Sequence, residues 1–166
     1  MDFQLDLKLK ETIESWGLPE CLEKCKEEIV YKFDCEDLPK DEFMKYHCAP
    51  GSCKFCLYDL KTKKKLFTME FFQFKQRDFR PEKIMKLDTL IVHDHMLRNK
   101  GIASYYMSKF IEYCKTIGIN SISINACPTS SIFRGESKHN VLSKENLVAF
   151  YESFNSPDMP IEVREC

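Results

Sequence analysis

One stretch constrains the fold more than any other. Residues 83–126 run as "KIMKLDTLIV", "HDHMLRNKG", "IASYYMSKFIEYCKTIG" and "INSISINA", which reads as strand, basic loop, amphipathic helix and strand in immediate succession. The first run is largely apolar, as a strand inside a sheet is. In the helix, Ile102, Tyr106, Tyr113 and Ile117 share one face, and Ala103, Met107, Phe110 and Cys114 widen it. Ser104, Lys109, Glu112 and Lys115 keep the other face polar, and Gly118 stands where a helix C-terminus is capped. The closing strand alternates Ile122, Ile124 and Ala126.

The flanking sequence fits around that unit. "DFQLDLKL" alternates Phe3, Leu5, Leu7 and Leu9 with polar residues and predicts a half-buried strand. "ETIESWGL" predicts a short helix stopped by Gly17. A second helix is expected after Pro19, with Leu22, Cys25, Ile29, Val30 and Phe33 at helical spacing. "DLPKDEFMKYHC" predicts another short helix, and "APGS" a turn. "KFCLYDL" and "KLFTMEFFQF" flank "KTKK" as a hairpin with its lysines at a solvated tip. After the polar stretch "CPTSSIFRGESKHNV", "LSKENLVAFYESF" predicts a last helix lined inside by Leu147, Phe150 and Tyr151, and "MPIEVREC" a terminal strand. The expected fold is α/β, a single mixed β-sheet flanked by helices, in one domain over residues 1–166.

Composition narrows the function. At 166 residues the chain is long enough to bury a sizeable core, and 43% apolar residues with 13 Phe make that core aromatic. A net charge of -1 argues against a general nucleic-acid or membrane-surface binder. No targeting leader is read in residues 1–20, and no apolar run approaches the ~20 residues that cross a bilayer, so a cytoplasmic protein is expected. Nine cysteines at irregular spacing suit free, mostly buried thiols better than a disulfide framework.

The loop "RNKGIA" then acquires chemical meaning. Where a strand ends and a helix begins, the first backbone N–H groups and the positive end of the helix dipole point into one small space, which suits an anion. Gly101 lets backbone approach a ligand closely, Ala103 keeps the next turn small, and Arg98 and Lys100 add charge. The pattern has neither the G-x-x-x-x-G-K-[ST] of a nucleotide loop nor the three glycines of a dinucleotide turn.

"RNKGIA" after "LDTLIV" resembles the pyrophosphate signature [RQ]-x-x-G-x-[GA] of the GNAT superfamily, the acetyl-coenzyme A dependent N-acetyltransferases. "ENLVAFYESF" is similar to that family's last-helix motif around a Phe-Tyr pair, although "SFNSPDM" replaces its usual Gly-Phe continuation. The resemblance implies the acyl-CoA N-acyltransferase fold, acetyl-CoA as co-substrate, an amine acceptor and no metal. It puts the pantetheine arm on backbone groups of Ile91 and Val92 and the pyrophosphate on N–H groups of Arg98, Asn99, Lys100, Gly101, Ile102 and Ala103, joined by Ser104. Asn146 holds pantetheine or starts the helix, and Tyr151 serves as the acid for the departing thiolate or as a core tyrosine.

The chemistry needs a proton acceptor, because a lysine-like amine with a pKa near ~10.4 is mostly ammonium at neutral pH. Asp88 and Glu70 are carboxylates in apolar runs, His93 and His95 have the nearest ordinary pKa, and a water relay serves equally. A zinc site from His47, Cys48, Cys53 and Cys56 is weak, since Cys53-x-x-Cys56 lies on a strand and sends its two thiols to opposite faces. The aromatic runs "MEFFQF" and "SSIFRG" suit an acceptor end, the core or a homodimer interface. The alternative to an enzyme is a coenzyme A binding module with this fold and no turnover.

Overall fold

The computed structural model describes residues 5–36, 45–76, 78–79, 81–126 and 143–165. Among them run strands β1 (Ile29–Lys32), β2 (His47–Ala49), β3 (Ser52–Asp59), β4 (Lys64–Gln73), β5 (Ile84–Val92), β6 (Ser121–Ala126) and β7 (Ile161–Glu165). Three helices accompany them: α1 (Leu7–Glu14), α2 (Ile102–Thr116) and α3 (Lys144–Glu152). The strands form one mixed sheet in the order β1-β3-β4-β5-β6-β7, with β2 paired to β3 beside that path.

Connection length sets the direction of each pair. The three residues between Asp59 and Lys64 that follow Leu60 allow only an antiparallel hairpin, and β1 through β5 pair antiparallel. α2 and α3 are crossovers, and they make β5, β6 and β7 parallel. α2 ends in a glycine-based cap: Gly118, at φ +82°, donates to Lys115 O and Ile119 donates to Cys114 O. This is the mixed-sheet architecture that the GNAT resemblance implied.

One face of the sheet holds the core. Alternate residues Phe55, Phe67, Phe71, Leu87 and Ile124 meet Ile13 of α1, Tyr106 and Phe110 of α2 and Tyr151 of α3 in a single cluster. Phe67 stacks on Tyr106 with ring centroids 4.6 Å apart, and Phe71 lies 5.0 Å from Phe110. The other face is polar although much of it is buried, with Lys54, Thr68, Lys86, Thr89 and Ser123 all enclosed.

The N-terminal third differs from its sequence pattern. The strand expected over Phe3–Leu9 is instead the start of α1 in its described part: Asp6 caps Leu9 N–H at 3.0 Å, and Leu9 and Ile13 face the core at helical spacing. Residues 1–4 lie outside the described residues. The helix expected through Phe33 shrinks to a 3-10 turn over Glu20–Cys25, and Ile29 and Val30 belong to β1. Edge pairing with β3 overrides a spacing that fits either period. Of "DLPKDEFMKYHC", residues 37–44 lie outside the described residues and His47–Cys48 are in β2 rather than a helix.

Candidate functional site

The decisive local event is a β-bulge. β4 and β5 stay in register from Phe67 opposite Val92 to Glu70 opposite Thr89, and then Phe71 lies opposite Leu87, leaving Asp88 as the extra residue. The parallel pairing of β5 with β6 covers Ile84 to Leu87 and stops there, whereas β6 continues with β7 to Ala126. Beyond Asp88, β5 therefore has no strand on that side among the described residues.

Alternation identifies which backbone groups are left open. His93 N–H donates to Leu66 O at 2.9 Å, so Ile91 also points its backbone groups at β4, while Leu90 and Val92 point away. Ile91, expected to offer its backbone to a ligand, thus turns it to β4, and Leu90 turns its own to the open side. Val92 keeps its open-side position, but its carbonyl accepts from Arg98 Nε at 2.9 Å.

The loop after β5 brings the chain to α2. Asp94 caps a 3-10 turn over His95–Leu97 by accepting from Met96 N–H, and Arg98 N–H closes that turn on His95 O at 3.4 Å. Arg98, expected among the anion-binding N–H groups, has its backbone N–H and its Nε both bonded within the chain. Asn99 at φ +64° and Gly101 at φ +90° then turn the chain into α2. Gly101 is the N-cap, with no side chain closing the helix end, and a Cβ built there would meet nothing within 4 Å. Lys100 and Gly101 are exposed, Ile102 is buried in the core, and Ser104 is exposed one turn on. The N–H groups of Ile102, Ala103 and Ser104 have no acceptor among the described residues, as the start of an uncapped helix leaves them.

The two candidate carboxylates come together at the vertex where β5 and β6 part. Glu70 and Asp88 interact directly across the bulge, and burial is the main cause that raises the Glu70 pKa above the usual carboxylate value, with Asp88 adding to the rise. Lys54 opposes that shift from 3.7 Å, and Thr89 Oγ1 donates to Glu70 Oε1 at 3.3 Å. Lys54 and Thr89 escaped the sequence reading because only the register sets Lys54, Glu70 and Thr89 side by side.

His93 is committed elsewhere: its Nε2 lies 2.7 Å from Thr68 Oγ1, which in turn lies 2.9 Å from the Tyr46 hydroxyl. Tyr151 is buried within the core cluster, and burial pushes its phenol pKa up, so it keeps its proton at neutral pH. Asn146 N–H donates to the capping Ser143 Oγ at 3.2 Å, and its side chain is exposed. Cys53 and Cys56 do fall on opposite faces of β3, one in the main core and the other beside Tyr46 and Tyr58.

No protein-family model and no curated protein sequence matches this chain. Solved structures do. One is a Trypanosoma brucei acetyltransferase, 12% identical at TM-score 0.46 over 64% of this chain and 62% of that one. This chain thus spans less than two thirds of that protein's length. A second is an aminoglycoside acetyltransferase, meta-AAC0020, from an uncultured soil metagenomic sample, 12% identical at TM-score 0.44 over 90% and 76%. A third is a transcriptional regulator from Bacillus halodurans C-125, 13% identical at TM-score 0.45 over 93% and 90%. Likenesses of this size decide neither family nor activity, and the site's own geometry has to carry the functional reading.

Proposed function

We propose that the chain is a GNAT-type N-acetyltransferase that moves the acetyl group of acetyl-CoA to a primary amine. The observation that supports this reading is that three features follow one another along β5 and the loop after it: the end of β5–β6 pairing at Leu87, the Glu70–Asp88 pair at the bulge, and the uncapped start of α2.

The pantetheine arm would lie along the open side of β5 and bond Leu90 and Val92 backbone groups as a strand would. The diphosphate would take N–H groups from Lys100 to Ser104, with the Lys100 side chain assisting. When bound, acetyl-CoA supplies the activated acyl group. Glu70 and Asp88 serve as the proton sink for the incoming ammonium, one carboxylate's affinity for the proton being raised by the other. Tyr151, protonated by virtue of its burial, serves as the acid toward the leaving sulfur. The acetyl group passes directly to the amine, without an enzyme-bound intermediate. Such a protein belongs in the cytosol, where acetyl-CoA and free thiols coexist.

A coenzyme A binding module without turnover is the second reading, favoured by the contacts that Lys54 and Thr89 already make with Glu70. Acetyl-CoA consumption over a panel of amines separates the two. Ligand at 100 Kd is expected to stabilise the fold by about 2.7 kcal/mol under either reading, and turnover is expected only under the first. Absence of that stabilisation overturns both.

A further inference from the structure

The sheet face opposite the main core carries a lysine that makes no hydrogen bond or ion pair among the described residues. Lys86 of β5 is 8% exposed, yet its ammonium has no hydrogen bond and no ion pair among the described residues. It senses Asp88, Glu162 and Arg164 only through space. Its stem is packed against the sheet while the ammonium opens onto a solvent-connected groove, where its donors are available to a ligand.

The register builds the rest of that site. Lys86 lies beside Ser123 of β6, and Ser123 beside Glu162 of β7. Ser123 is also buried, with no hydrogen-bond partner for its hydroxyl among the described residues. Two positions on, Asn125 faces Arg164, whose Nε donates to Glu162 Oε1 at 3.1 Å in an exposed ion pair. These groups line a groove of about 500 Å³ together with Phe74, Phe79 and the oppositely charged Lys75 and Glu82. Asp88 stands two positions beyond Lys86 on the same strand, roughly 7 Å along it.

We propose that this groove is the acceptor subsite and that the acceptor is a carboxylate-bearing amine, an amino acid in chemical class. Its carboxylate is received by the Lys86 ammonium and the Ser123 hydroxyl, and its amine is directed to Asp88 and Glu70. One ammonium and one hydroxyl match a singly charged, planar carboxylate, and the two phenylalanines give an apolar side chain a surface to lie on. The inference rests on the acetyl-transfer reading for its amine end and on Lys86 alone for its carboxylate end.

The test follows coenzyme A release by the 166-residue chain with L-amino acids, each paired with the amine that lacks its carboxylate. Wild type is expected to prefer the carboxylated member at least tenfold in kcat/KM. Lys86→Met is expected to raise KM for that member at least tenfold and leave its partner within twofold, with Lys86→Arg restoring much of the loss. Equal use of both members by wild type, or equal loss for both in Lys86→Met, overturns the subsite while transfer stands. Calorimetric titration of the same amino acids into coenzyme A-loaded protein gives a second readout. Lys86-dependent binding without turnover sustains the subsite and overturns the enzyme; no binding and no preference overturn the subsite. Lys86→Met is also expected to melt no lower than wild type, and a lower melting point contradicts an unpaired Lys86.

Discussion

The two halves of β5 face different tasks with one backbone. From Ile84 to Leu87 the strand is bonded to β4 on one side and β6 on the other, and Met85 and Leu87 are buried in the core. From Thr89 to Val92 it keeps β4 but has no strand partner on the β6 side among the described residues, and that edge leads through the His93–Lys100 loop to the uncapped start of α2. The bulge at Asp88 separates the two halves. A sheet can thus leave backbone hydrogen-bonding capacity unspent at a chosen place, provided the adjoining half is packed firmly enough to hold the split open.

That contrast can be broken from the packed side first. Phe110→Ala removes a fully buried ring that meets Phe71 at 5.0 Å, and thermal or urea unfolding is expected to show a loss of about 3–5 kcal/mol. The open side breaks with a smaller loss of stability, about 1–3 kcal/mol for a side chain held at φ +90°, and with loss of the ligand. Gly101→Glu puts bulk and negative charge where a Cβ meets nothing, and coenzyme A affinity measured by calorimetry is expected to fall at least about 100-fold, ~2.7 kcal/mol. Undiminished affinity in a folded variant would remove the cradle. Tyr151→Phe keeps the ring and deletes the proton, and steady-state kinetics are expected to show kcat down roughly 100-fold with KM little changed.

Smaller effects sharpen the comparison at the vertex. The folded pKa of Glu70 is raised above its ordinary 4.5, so its contribution to stability is greatest at low pH and is lost as pH rises through the folded value. Glu70→Gln removes that dependence, and the stability difference between wild type and variant, followed by denaturant unfolding, is expected to move against wild type with rising pH and then level off. Lys86 has the opposite sign. Burial lowers its pKa, so its charge weighs on the fold below the folded value and ceases to do so as pH climbs toward the ordinary lysine range. The stability gained by Lys86→Met is expected to be largest near neutral pH and to shrink in alkali.

Long, strongly periodic segments were legible in the sequence, and so was the loop between them. α2, β5 and β6 lie where their patterns put them, because burial against one face fixes a period over many residues. Gly101 at a helix start was legible for the same reason. The N-terminal region was not: Leu5, Leu7 and Leu9 satisfy a two-residue period, but a capping Asp6 and the burial of Leu9 with Ile13 satisfy a helix better. At the site, Glu70 and Asp88 were each visible as carboxylates in apolar runs, while their meeting was not. It depends on a bulge, and one inserted residue changes every cross-strand neighbour beyond it. The direction of the Ile91 and Leu90 backbone groups has the same origin, and the bond from Arg98 Nε to Val92 O joins positions that no local pattern brings together.

Amide hydrogen exchange with and without acetyl-CoA reads the open edge of β5 residue by residue. New protection is expected at Leu90, Val92 and Gly101 through Ser104, with Ile91 and Arg98 unchanged because their N–H groups are already bonded within the fold. Binding with protection confined to other segments, or no change at these amides at saturating ligand, would contradict acetyl-CoA binding along β5 and the start of α2.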